Sequence, residues 1–288
     1  MHIVTDTGAN WADGADAGLD IHVVPQNFTL DGKNYRSGVD VQIADFYPML
    51  ANAEGFPTTA QPAPGEFATV YRQLAETNPN ILSIHISSGL SGTLNAAIEG
   101  AKLVPEAKVT IFDTKNLSAA QGWMVLAAAR AAKAGWPLGR IEEKLAAIRD
   151  ASLTLFTLDT LQYLIHGGRI SHLRGLLANV LDIKPIIGVE GEEGVYGQWG
   201  RARTIKKAID KLVSVAADRM EAGQPMRIQV VHGDVPQYAE ALKKTAEYQF
   251  ESQFLPNVQI SPILAAHTGP SLVGFCLAPA CAFDDLPE

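Results

Sequence analysis

Only two cysteines occur in the 288 residues, Cys276 and Cys281, close together near the C-terminus. Two such thiols build neither a disulfide framework nor a four-ligand zinc set, so both are read as reduced residues, Cys276 within a core strand. Lysine and arginine form no block, and the net charge is −8 with a pI near 5.4. That balance excludes a nucleic-acid surface or an anionic membrane as the main partner. No apolar run reaches the roughly 18 residues of a membrane span, and Met1-His2-Ile3-Val4 leads straight into a strand without a basic segment or long apolar stretch. Stable membrane insertion is therefore not expected, and a cytoplasmic location is. Neither Gly-x-x-x-x-Gly-Lys-Ser/Thr nor Gly-x-Gly-x-x-Gly is present, which removes the two strongest nucleotide signals. Internal repeats and low-complexity linkers are also missing.

With 47% hydrophobic and 19% charged residues, the chain can bury a large core, and its length is near that at which single cores divide. Ile3-Val4, Ile21 to Val24, Ile81 to Ile86 and Val109 to Phe112 read as strands. Helix-like stretches near 45–50, after Gly65, at 94–98, 118–134 and 138–149 are interspersed among them. Strands alternating with helices predict a parallel sheet covered on both faces. Phe28 to Arg36 reads as a hairpin around Asp31-Gly32, and residues 57–67, with three prolines, as a stiff loop.

Near Ser152 the pattern changes. A strand at 153–158, a helical turn at 161–166 closed by Gly167-Gly168, and a helix starting at Arg169-Ile170-Ser171 are expected. A hairpin over 183–196, a basic turn Arg201-Ala202-Arg203 and a helix at 204–220 follow. Next come a strand at 227–234, a helix at 236–249, a strand at 259–264, a turn at 265–270 and a closing strand at 271–277. The fold class is thus α/β: an N-terminal parallel-sheet α/β domain over 1–151 and a C-terminal α/β domain of α+β-like order over 152–288.

The chemistry centres on Ser87-Ser88-Gly89-Leu90-Ser91-Gly92-Thr93, which joins the strand ending at Ile86 to a helix. Unpaired N–H groups and the positive dipole end at a helix start favour an anion, and glycine lets it approach closely. Ser91 or Thr93 would supply a directed hydroxyl, although Ser91 could equally be only the helix N-cap. Asp6, at the end of the first strand, could hold a ligand hydroxyl or cap the next turn. A serine hydrolase using Ser91, His267 and Asp6 or Asp113 is one alternative. It is disfavoured because Gly89-Leu90-Ser91-Gly92-Thr93 has threonine where a nucleophile elbow needs glycine. A phosphate-metabolite binding protein is another. His85, His166, His172 and His232 read as structural or surface residues, and no metal site or cofactor is expected.

The order of motifs resembles the DegV family of bacterial fatty-acid-binding proteins, including FakB-type subunits that present fatty acids to a separate kinase. Thr5-Asp6-Thr7, Thr58-Thr59-Ala60-Gln61-Pro62, Ser91-Gly92-Thr93 and Phe112-Asp113-Thr114 carry the resemblance in the first half. Tyr163-Leu164 with Gly167-Gly168-Arg169, Lys184-Pro185-Ile186 and Ala266-His267-Thr268-Gly269-Pro270 carry it in the second. It implies that Thr59, Ser91 and His267 hold a fatty-acid carboxylate at the domain junction, with Gly92, Thr93 and Thr268 beside them. It also implies an acyl-chain tunnel in the N-terminal domain. Arg169, Arg201 and Arg203 are implied to face the phosphate donor or the ATP-dependent fatty acid kinase subunit. Ala60 and Ala63 stand where the family usually has serine, so a second hydroxyl beside the head group is missing. The chain itself holds no phosphoryl-transfer set and would not be an enzyme.

Overall fold

The computed structural model describes residues 1–170, 173, 183–221 and 223–287. β1 (His2–Asp6) and β2 (Ile21–Val24) start a parallel sheet, and β3 (Asn27–Leu30) and β4 (Lys33–Arg36) form the expected hairpin. Its turn has Asp31 at φ 48° and Gly32 at φ 76°, the left-handed pair that a two-residue hairpin turn requires. α1 (Ile43–Ala51), β5 (Thr58–Ala60), α2 (Pro64–Ala75), β6 (Asn80–His85), α3 (Thr93–Lys102), β7 (Lys108–Asp113), α4 (Ser118–Lys133) and α5 (Leu138–Ala151) follow. The four-stranded sheet has the order β2-β1-β6-β7, all parallel. Phe67, Tyr71, Ala96 and Ala97 of α2 and α3 pack on one face, while α4 and α5 bury Met124, Ile141 and Leu145 on the other.

Residues 57–67 do not form a continuous loop. Thr58–Ala60 adds β5 to the free edge of β3, with Thr59 opposite Phe28, because that edge offers backbone groups to pair with.

The second part comprises β8 (Leu153–Thr157), α6 (Gln162–His166), β9 (Lys184–Glu190), β10 (Val195–Ala202), α7 (Ile205–Ala217), β11 (Met226–His232), α8 (Pro236–Gln249), β12 (Ser252–Phe254), β13 (Val258–Gln259), α9 (Pro262–Thr268) and β14 (Val273–Pro279). Its sheet has the order β10-β9-β8-β14-β11-β12, with β13 also on β11, and it is antiparallel except where β12 and β13 join β11. β14 lies in the sheet interior, and Cys276 on it is buried. α7 and α8 cover one face.

Two expectations for this part are corrected, and a third falls largely outside the described residues. Residues 260–268 are not a strand followed by a turn: only Val258–Gln259 is extended, and α9 starts at Pro262, so His267 lies in a helical turn. Proline at the first helical position costs no hydrogen bond and fixes φ for a helix, and a helix buried on nearly all sides shows no periodicity to read. Arg201 belongs to β10, which extends beyond the basic turn assigned to it, and Arg203 follows the strand. Arg169 and Ile170 lie in a turn, and the remainder of the helix expected from them, with His172, lies outside the described residues.

α4 joins the two sheets. Nearly every side chain along it is buried, as expected of a helix with apolar and small residues all round. Gly122 lets it approach the Asn10 backbone, where a Cβ would stand 2.0 Å from the Asn10 carbonyl oxygen. On its second-sheet side, Trp123 Nε1 donates to Gln229 Oε1 at 2.8 Å, and from α1 the Tyr47 OH donates to the Ile260 carbonyl at 3.0 Å. One apolar cluster runs from Phe28 and Phe46 through Trp123 to Phe156, Tyr196 and Leu264.

Candidate functional site

At the C-terminal end of the parallel sheet the chain must turn from β6 into α3, and the turn is held from below. Asp6 Oδ2 accepts the Ile86 N–H at 3.0 Å and Oδ1 accepts the Gly8 N–H at 2.8 Å. Asp6 is buried and occupied in this way, so it caps turns and holds no ligand hydroxyl. Ser87 Oγ donates to the Gly194 carbonyl at 2.7 Å, which pins the turn to the β9–β10 loop. A Cβ on Gly89 would stand 2.4 Å from the Glu193 carbonyl, so this close approach requires glycine.

Within that turn Ser91 does not cap α3 as its N-cap residue; Gly92 does, without a side-chain cap. Ser91 Oγ instead accepts the Thr93 N–H at 3.3 Å and lies 2.8 Å from Thr93 Oγ1. Thr93 Oγ1 accepts from Gln26 Nε2 at 3.0 Å, and Gln26 Oε1 accepts from Thr7 Oγ1 at 3.1 Å. Among the described residues Ser91 Oγ is the one acceptor that the buried Thr93 hydroxyl meets, so Thr93 donates to Ser91 and the Ser91 hydroxyl proton is turned to the cleft. Thr93 is fully buried behind Ser91 and acts as its support. Gly92 gives room to the Gln61 side chain, whose Oε1 would lie 2.1 Å from a Cβ.

A second relay arrives from the other part of the chain. His267 Nε2 lies 2.8 Å from Thr59 Oγ1, and its Nδ1 is buried without a partner. Burial, with Arg169 adding to it, lowers the His267 pKa to about 3, so the ring is neutral at pH 7. An orphaned N–H is rarer than an orphaned acceptor. The ring proton accordingly belongs on Nε2, donating to Thr59, and the Thr59 hydroxyl proton also faces outward. Gly167 packs directly on the ring, where a Cβ would stand 2.1 Å from Nδ1.

Arg169 completes the cleft. Its Nη1 donates to the Gly167 carbonyl at 2.7 Å and its Nε to the Leu90 carbonyl at 3.4 Å, and it makes no ion pair among the described residues. Burial lowers its pKa from the ordinary arginine value, while it stays cationic at neutral pH. Thr59, Ser91, His267 and Arg169 thus line one cleft of about 30 Å³, together with Gln26, Gln61, Ala60 and Tyr196. The cleft opens outward over Ser88 to Gly92, Gly168 and Arg169. Inward, Tyr196 and Leu264 are shared with an apolar cavity of about 20 Å³ lined by Phe156, Val231, Ile260 and Leu272.

Thr268 lines that inner cavity, with its hydroxyl donated to the Leu264 carbonyl at 3.0 Å. Most residues of the cavity come from the second part, and it lies against the second sheet. Arg201 and Arg203 are exposed and line none of these cavities. Gln26, Gln61 and Tyr196 were not among the predicted site residues. Gln61 lay inside a quoted motif, whereas Gln26 and Tyr196 carried no local signal.

The hydrolase arrangement is not assembled. Ser91 pairs with Thr93, His267 with Thr59, and Asp113 with Ser88 N–H and Lys115. An Asp6–His85–Ser83 line does exist, with Asp6 Oδ2 to His85 Nδ1 at 2.9 Å and His85 Nε2 to Ser83 Oγ at 2.7 Å. All three are buried, and Ser83 also bonds Tyr71, so this is a core network.

Fold and cleft together define a two-sheet α/β protein with a donor-lined cleft that shares Tyr196 and Leu264 with an apolar cavity. The profile of the family described as "Uncharacterised protein, DegV family" matches residues 1–280, and the chain belongs to the DegV family. A DegV domain-containing protein of Listeria innocua is 33% identical over 273 residues, which cover 94% of this chain and 96% of that one. A solved fatty-acid-binding DegV family protein from Thermus thermophilus is 31% identical at a TM-score of 0.86, covering 96% of this chain and 99% of its own. A stearic-acid-binding protein from Eubacterium ventriosum is 25% identical at a TM-score of 0.83, covering 97% and 98%.

Proposed function

We propose that the protein binds a long-chain fatty acid, with its carboxylate in the Thr59–Ser91 cleft and its tail in the apolar cavity beyond Tyr196 and Leu264. The observation that carries this reading is the pair of relays, Gln26–Thr93–Ser91 and His267–Thr59, each ending in a cleft-lining hydroxyl beside an arginine that makes no ion pair among the described residues. A carboxylate is acceptor-only and matches that set, each charged hydrogen bond contributing about 1.5–3 kcal/mol. The related Thermus thermophilus and Eubacterium ventriosum proteins, which bind fatty acid and stearic acid, support the choice of ligand.

At about 0.8 kcal/mol per buried CH₂ the tail contributes on the order of 10 kcal/mol before ordering costs, so the tail sets affinity and the head group sets orientation. Arg169 acts here as the countercharge of the carboxylate. The cavities are narrow, and Leu264, Tyr196 and their neighbours must part to admit the chain. That rearrangement offsets part of the gain.

In the finer reading the protein presents the acid to a separate ATP-dependent fatty acid kinase subunit. The outward opening over Ser88 to Gly92 and Arg169 exposes the carboxylate end, and the exposed Arg201 and Arg203 serve the partner or phosphate side. The carboxylate oxygen would attack the terminal phosphorus of ATP on the partner, giving acyl phosphate and ADP. The test is titration of the delipidated protein with stearate and with stearyl alcohol, followed by the kinase reaction. Saturable stearate binding well above that of the alcohol, and acyl phosphate formed only when both proteins are present, are expected. Equal binding of acid and alcohol contradicts the head-group assignment, and turnover by the kinase alone contradicts presentation.

A further inference from the structure

At the opposite end of the parallel sheet, where β1 and β2 begin, the register Ile3↔Ile21 and Val4↔His22 places His2, Asp20 and His22 on one face. His2 Nδ1 is 2.6 Å from Asp20 Oδ2, and His22 Nε2 is 2.6 Å from Asp20 Oδ1. Among the described residues, no other three His, Cys, Asp or Glu side chains bring ligand atoms within such mutual reach.

A second observation concerns protons. The Thr77 hydroxyl donates to the Leu74 carbonyl at 3.1 Å, so toward His2 Nε2, 2.9 Å away, it is an acceptor. His2 Nε2–H is therefore held by Thr77, and Nδ1 is the ring nitrogen turned toward the Asp20 carboxylate. A proton on Nδ1 closes this contact when no metal is bound, and a metal ion would take that proton's place. Thr77 also plays the part of the outer partner that fixes the orientation and tautomer of a metal-bound histidine.

We infer that His2 Nδ1, His22 Nε2 and an Asp20 carboxylate oxygen form a three-ligand site for a divalent transition metal of the zinc type. Two imidazoles and one carboxylate suit Zn²⁺, with a fourth tetrahedral position left to solvent. Tetrahedral bonds of about 2.0–2.1 Å need ligand atoms roughly 3.3 Å apart. The Asp20 side chain, 52% exposed, is free to open the present contacts by that margin. Bound metal would tie the start of β1 to β2 and, through Thr77, to the segment after α2. The site lies at the far edge of the sheet from Ser91 and is independent of the fatty-acid reading.

The test is titration of the untagged full chain with Zn²⁺ against a chromophoric chelator, with melting curves in EDTA as a folding control. One equivalent is expected to bind. His22→Gln and Asp20→Asn should each weaken binding by roughly tenfold or more, and Thr77→Val by roughly tenfold, without changing the melting temperature in EDTA. Bound Co²⁺ should show visible bands of a tetrahedral site, and these should be lost in His22→Gln. Absence of stoichiometric binding to the wild-type chain, or unchanged binding in both ligand variants, overturns the assignment.

Discussion

Ser91 and Thr59 reach the cleft by the same device: each accepts a hydrogen bond from the neighbour behind it and keeps its own proton toward the cleft. Ser91→Ala and Thr59→Ala should therefore weaken fatty-acid binding by about 1.5–3 kcal/mol each, measured by titration, and leave the melting temperature nearly unchanged. Ala60 also lines the cleft, and Ala60→Ser should restore a donor and tighten carboxylate binding by about 1 kcal/mol. His267 makes a separate prediction. Its folded pKa, lowered to about 3 by burial and by Arg169, lies below the unfolded value near 6.5. Between those values the unfolded chain binds the proton and the folded chain does not, so His267 contributes stability above pH 6.5 that is lost as pH falls toward 3. Urea melts at pH 7 and pH 4.5 should show a smaller loss for His267→Gln than for the wild type. Thr59, Ser91 and His267 were legible because each sits in a short motif. Gln26 was not, because its bond to Thr93 spans 67 residues. The same holds for His2, whose partners Asp20 and His22 become neighbours only through strand register.

The elements that present these groups are held by close backbone approaches at glycine. Gly89→Ala would drive a methyl into the Glu193 carbonyl, and Gly167→Ala would drive one into the His267 ring. The first should destabilise the protein by about 1–3 kcal/mol in denaturant melts, because it separates the β6–α3 turn from the β9–β10 loop. The second should lower ligand affinity more than stability, since it displaces His267 from Thr59. The alternation of strand and helix was readable through α5, where amphipathic and strand periods differ clearly. It failed at α9, where Pro262, Ile263, Leu264, Ala265 and Ala266 are all buried and a uniformly apolar run fits either period. Pro262 was the available signal, since proline at a first helical turn is favourable and inside a paired strand is not. β5 was missed for the opposite reason: three residues take their strand geometry entirely from β3.

For the molecule as a whole, the cluster from Phe46 through Trp123 to Leu264 makes the two sheets share a core, although the sequence pattern changes at Ser152. Calorimetry should show one cooperative transition, and Trp123→Phe, which leaves Gln229 Oε1 without its donor, should lower stability by about 1–3 kcal/mol without splitting that transition. That Thr59, Ser91 and His267 would line one cleft was legible from motifs in both halves. The position of the apolar cavity was not, because its walls come from strands and helices that only topology brings together. Among the described residues no helix is long and apolar enough to cross a membrane. The proposed function places the acyl chain in the shared core. Native mass spectrometry of the gently purified protein tests this most directly. A one-to-one complex with the mass of a long-chain fatty acid, diminished in a Thr59→Ala, Ser91→Ala double variant that melts like the wild type, is the predicted result. A bound phosphate metabolite with no lipid, or lipid retained equally by the double variant, would contradict it.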